Sequence, residues 1–238
     1  DDLIAAWSLD PTTRRPTEVA SGAAPLTSPP HASGVRLLRD GRTVLPVGSY
    51  AEGRLPLLDL AAGLRQTSSL NFRGGQANDA IELDVGGSVG ATVRTTATET
   101  PTALVVANQN RAFMYDRRAA EPCARLPLAG ISALACLAGD APGAPPALLA
   151  AAGSVVRVFD VRKLPPDTKE AKKPPAALAT LEGPPSTRFR QREGQGLGQG
   201  DHGGITSIAA LGTTVVAGHR DGTVASWDVG IIDKPTQE

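Results

Sequence analysis

Short apolar runs alternate with turn residues along the whole chain. The last part of the chain displays the pattern most clearly. Ile205–Ala210 alternates weakly, Thr213–Gly218 is apolar and β-branched, and Thr223–Asp228 follows after the tight-turn pair Asp221-Gly222. Runs of that length, rich in Val, Ile and Thr, predict strands. A Gly after Asp favours a tight turn because Gly accepts positive φ. Ala177–Leu181 predicts an outer fourth strand for this last unit. The same order recurs upstream. Val35–Leu38, Thr43–Val47 and Arg54–Leu60 form one set, Ala80–Val85, Ala103–Ala107 and Arg111–Asp116 the next, then Ile131–Leu137, Ala147–Ala151 and Val155–Val161. Several strands are apolar at nearly every position, which fits sheets packed between neighbouring sheets.

Each unit ends in an apolar or aromatic residue followed by Asp: AAWSLD at Asp10, LPLLDL at Asp59, AFMYDRR at Asp116, VVRVFDVR at Asp160 and TVASWDV at Asp228. The steps between these Asp residues are 49, 57, 44 and 68. The longer steps require inserted loops. Candidates are residues 11–33, 86–101, 139–146 and 162–204, all rich in Pro, Gly or charge. Such segments lack the apolar surface to build a core, so they are expected to be exposed or disordered.

The segment 201–229, DHGGITSIAALGTTVVAGHRDGTVASWDV, resembles a WD40 repeat, with a His near its start and Trp227-Asp228 near its end. WD40 units run about 40–45 residues and form four-stranded blades of a β-propeller. The resemblance implies an all-β WD40-type propeller over residues 1–238, with four near-complete blades and a partial opening one. The chain opens inside a repeat, so the expectation is part of a larger propeller, incomplete at its N-terminus. In this family a His, a Ser or Thr, an Asp and a Trp form a structural hydrogen-bonded set. Those roles would fall on His202, Asp221 and Trp227, while Ala217 occupies the hydroxyl position.

Composition narrows the function. Lys plus Arg and Asp plus Glu both number 24, so no overall basic bias draws the chain to nucleic acid or a membrane surface. The 2 cysteines, Cys123 and Cys136, are too few for a disulfide framework and fit no zinc spacing, as expected of buried thiols in an intracellular protein. The 3 histidines, His31, His202 and His219, form no metal-binding pattern, and no catalytic constellation or cofactor motif is visible. The Gly-rich 194–200 has no strand–loop–helix setting to cradle phosphate.

Three sets of residues remain as candidate contacts. YDRR (115–118) and FDVR (159–162) resemble the double WDxR signature of WD40 substrate receptors of cullin-RING ubiquitin ligases. That resemblance would give Arg118 and Arg162 an adaptor-binding role, with Tyr and Phe in place of Trp. Arg188, Arg190 and Arg192 flank Phe189 in RFRQR, a pattern that can touch single-stranded RNA in a ribonucleoprotein. The leading expectation is a non-enzymatic scaffold that binds other protein subunits of an intracellular complex, with no cofactor, metal or membrane contact.

Overall fold

The computed structural model describes residues 3–9, 13, 15–23, 34–50, 53–73, 75–84, 102–138, 146–167, 174–182 and 204–230. They form seventeen strands, β1 to β17, and one 3-10 turn at Val161–Lys163. All strand pairing is antiparallel.

Three sheets have four strands each, in simple chain order. The first holds β3 (Gly34–Leu37), β4 (Thr43–Val47), β5 (Arg54–Asp59) and β6 (Arg65–Asn71). The second holds β7 (Asp79–Asp84), β8 (Thr102–Ala107), β9 (Ala112–Asp116) and β10 (Pro122–Leu126). The third holds β11 (Ile131–Leu137), β12 (Ala147–Ala152), β13 (Val155–Asp160) and β14 (Ala179–Glu182). A two-stranded sheet, β1 (Leu3–Leu9) with β2 (Pro16–Ala23), precedes them. A three-stranded sheet, β15 (Ile205–Leu211), β16 (Thr214–His219) and β17 (Val224–Asp228), follows.

The sheets stack face to face, and their alternation explains the apolar runs. On β8, Leu104 and Val106 enter a core shared with Leu45, Leu55 and Phe72 of the preceding sheet. Their neighbours Ala103, Val105 and Ala107 enter the next core, with Leu134, Leu148 and Ala150. On β12, Leu148 and Ala150 face backward, whereas Leu149 and Ala151 face forward to Val215 and Ala217. A strand buried on both faces has no polar side to display. Phe72, Phe113 and Tyr115 anchor the first interface. The Phe72 and Phe113 rings meet edge-on at 5.9 Å, and Tyr115 Oη donates to the Asn71 carbonyl at 2.9 Å. Such an aromatic pair adds about 0.5–1.5 kcal/mol beyond its buried area.

The recurring Asp has a local cause. Its carboxylate closes the turn after the third strand by accepting the N–H two residues on. Asp59 accepts from Ala61 at 2.8 Å, and Asp116, Asp160 and Asp228 from Arg118, Arg162 and Gly230 at 3.0 Å each. This is the Asx turn that favours Asp at such corners.

Four expectations require correction. Residues 11–33 are not wholly a loop, because Pro16–Ala23 is a strand paired with β1. Pro16 is tolerated as its first residue, where a missing N–H costs least. The strand near Ala177–Leu181 belongs to the third sheet, not the last, because Val156 pairs with Leu181. The outer strands Arg65–Asn71 and Pro122–Leu126 were not foreseen. Residues 162–204 are not one continuous insertion. After the 3-10 turn the chain lies along β10: Arg125 N–H donates to Pro165 O at 2.9 Å, and Ala124 bridges Pro166. That contact covers an otherwise open sheet edge. Residues 24–33, 86–101, 139–145 and 183–203 lie outside the described residues.

Candidate functional site

The first strands of four successive sheets line a common groove of about 550 Å³. Arg36 and Arg39 come from β3 and its end, Glu82 from β7, Leu134 and Cys136 from β11, and Ala209 from β15. The floor is aliphatic, and its charged side chains are held by neighbouring sheets.

Asp79 is the central tie. It is 4% exposed and accepts from Arg36 Nε at 3.0 Å and Nη2 at 2.5 Å. Its other oxygen accepts the Leu134 N–H at 2.8 Å, so one carboxylate joins β3, β7 and β11. Glu82 repeats the device. It accepts from the Arg39 N–H at 2.6 Å and from Arg117 Nη1 at 3.1 Å. Arg117 also reaches Asp40 at 2.6 Å. Burial alone would raise the Asp40 carboxyl. Hydrogen bonds from Thr43, Arg117 and Arg42 outweigh it and hold that group well below the usual carboxylate range.

The turns after β9 and β13 place Arg118 and Arg162 at equivalent corners of successive sheets, both exposed. Arg162 bends back on its own sheet: Nε and Nη2 donate to Asp160 at 2.9 and 2.8 Å. That pairing holds the Asp160 carboxyl below its ordinary value, against the opposing effect of burial. Arg118 donates its backbone N–H to Asp116.

Of the proposed structural set, Asp221 accepts from the Thr223 N–H at 2.9 Å and hydroxyl at 2.7 Å. Trp227 Nε1 donates to the Glu182 carbonyl at 3.1 Å, tying β17 to β14 of the preceding sheet. His202, Arg188, Arg190 and Arg192 lie outside the described residues.

Sequence reasoning passed over a second pocket, of about 330 Å³, between Tyr50 and Phe72 on one side and Asn108–Arg111 on the other. Its signal in the sequence is the NQNR run between two strands, an Asx-turn pattern. Asn108 Oδ1 accepts from the N–H groups of Asn110 and Arg111, each at 2.8 Å.

Among the described residues, no group of three or more His, Cys, Asp or Glu could hold a metal ion. Among them, too, no helix is long and apolar enough to cross a membrane. The chain matches no known family model and no curated protein.

Proposed function

We propose that this chain is a WD40-type propeller segment that serves as a non-enzymatic scaffold for other protein subunits. One observation carries the reading: β3, β7, β11 and β15, the first strands of successive sheets, line one groove. Blades arranged around an axis would place their inner strands this way. The ties at Asp79 and Glu82 support a rigid frame, because each links side chains or backbone of different sheets. A rigid frame with irregular loops at its rims suits partner binding. The final sheet also presents Leu211, Val216 and Val224 outward, at 87, 38 and 69% exposure. Apolar side chains grouped on one sheet face favour cover by another protein surface.

Size-exclusion chromatography of a native lysate, probed for this chain, tests the reading. The expected result is elution in a complex much larger than the polypeptide itself. Elution at the size of the free polypeptide overturns it.

A further inference from the structure

We propose that the pocket between Tyr50, Phe72 and Arg73 on one sheet and Asn108, Asn110 and Arg111 on the next binds a carboxylate side chain of a partner protein. This deepens the scaffold reading and rests on it.

The pocket is one-sided in its chemistry. Among the described residues its lining includes two arginines and two asparagines but no Asp or Glu. The Arg111 guanidinium lies over Phe113, 5.8 Å from the ring centroid, and makes no ion pair with a described residue. The aromatic face holds the side chain in place while leaving its N–H groups available, since cation–π stacking uses the plane of the guanidinium and not its edge.

Asn108 supplies an independent observation. It is only 3% exposed, yet it lines the pocket. Two backbone N–H groups converge on its Oδ1, which fixes the orientation of the carboxamide. Its NH2 group therefore points the other way, and no described residue accepts from it. That NH2 group opens to solvent in the pocket, so an acceptor on a bound side chain can take the place of water there. The exposed Asn110 carboxamide adds donors at the mouth.

The balance of charge selects the anion. Arg73 already shares its charge with Glu121 at 3.5 Å. That leaves one unshared guanidinium and nearby NH2 donors, which match the single charge and two oxygens of a carboxylate. A phosphoryl group, carrying about −1.5 to −2, would find much of its charge unmatched. A volume of about 330 Å³ sits at the small end of ligand pockets and suits a side chain on an extended peptide.

The test uses the full chain and a fluorescent pentapeptide with two central glutamates, with its glutamine counterpart as control. Anisotropy at low salt is expected to show binding of the Glu peptide and about tenfold weaker binding of the Gln peptide, the scale of a charge-assisted hydrogen bond. Arg111→Gln is expected to lose about tenfold in affinity for the Glu peptide, again on the scale of one such bond, while melting like the native protein. If that variant does not fold, Arg73→Gln is the substitute, since its side chain is 65% exposed; it is expected to weaken binding by a smaller factor. Inorganic phosphate at matched ionic strength is expected not to displace the peptide. Equal affinity in a folded Arg111→Gln protein, no binding of the Glu peptide, or ready displacement by phosphate overturns the proposal. Failed peptide binding by a protein that still elutes in a large native complex removes the pocket and leaves the scaffold reading standing. Elution as a free polypeptide removes the scaffold reading whatever the peptide does.

Discussion

Asp79→Asn replaces the carboxylate that ties β3, β7 and β11 with a group of the same shape. The native side chain accepts from Arg36 at 2.5 and 3.0 Å, from Ala80 N–H at 2.8 Å and from Leu134 N–H at 2.8 Å. A carboxamide has only one acceptor oxygen. If that oxygen stays with Arg36, the NH2 group faces the Leu134 N–H, donor against donor. If it turns to Leu134, the NH2 group faces the guanidinium. Leu134 is 5% exposed, so its N–H cannot turn to water. A buried donor left unsatisfied costs about 1–3 kcal/mol. The Arg36 side chain is 51% exposed and can resolvate, so losing the ion pair adds at most about 1 kcal/mol. The expected total is about 1–4 kcal/mol, a fall in Tm of about 2–16 °C for a chain of this size. Thermal and urea unfolding followed by circular dichroism measure it. Arg36→Gln keeps the Leu134 bond but strips the guanidinium from a carboxylate that is 4% exposed, so it should also destabilise, by about 1–3 kcal/mol. Native-state hydrogen exchange should show early loss of protection at the Leu134 amide in Asp79→Asn. The reasoning fails if Asp79→Asn unfolds within about 0.5 kcal/mol of the native protein, the usual span for ordinary surface changes.

Three further outcomes follow from the same geometry. Gly53→Ala should destabilise by about 1–3 kcal/mol in urea unfolding, because φ is +63° there and a Cβ would sit 3.1 Å from the Phe72 carbonyl oxygen. Asp40 and Asp160 both titrate below their ordinary value of 3.8 in the folded protein, so the unfolded chain takes up protons first as pH falls. Their contribution is therefore present above about pH 4 and lost below it, and Tm should drop from pH 5 to pH 2 and recover on neutralisation; a flat profile would contradict the role given to Arg117 and Arg162. Arg118→Ala with Arg162→Ala should abolish capture of a cullin-ligase adaptor if the corner arginines dock one, while the protein stays folded with Tm lowered only by the loss of the Arg162–Asp160 pair, and retained capture removes that role.

The third strands were legible because each ends in Asp, and the Asx turn needs that residue locally. Residues 112–116 and 155–160 also carry apolar side chains for two cores, which the unbroken runs announced. The fourth strands were not legible. Arg65–Asn71 is exposed at its first four positions, so RQTSSLN reads as a polar loop until its pairing with β5 is known. Pro122–Leu126 is similarly short, and its edge is covered by residues about forty positions later. Contacts that join sheets were out of reach for the same reason. Arg36 and Asp79 lie 43 residues apart, and nothing local to either residue names the other. The YDRR and FDVR pair was visible, but the closing of Arg162 onto Asp160 depends on a side-chain geometry that spacing does not specify.

The scaffold claim is tested most directly by affinity purification of the protein from its native cell, with chemical cross-linking and quantitative mass spectrometry. The account predicts partner proteins in stoichiometric amounts. It also predicts cross-links from them that fall on the rim turns and on the outward face of the β15–β17 sheet. Recovery of the protein alone, at the same yield and under the same gentle conditions, would contradict it.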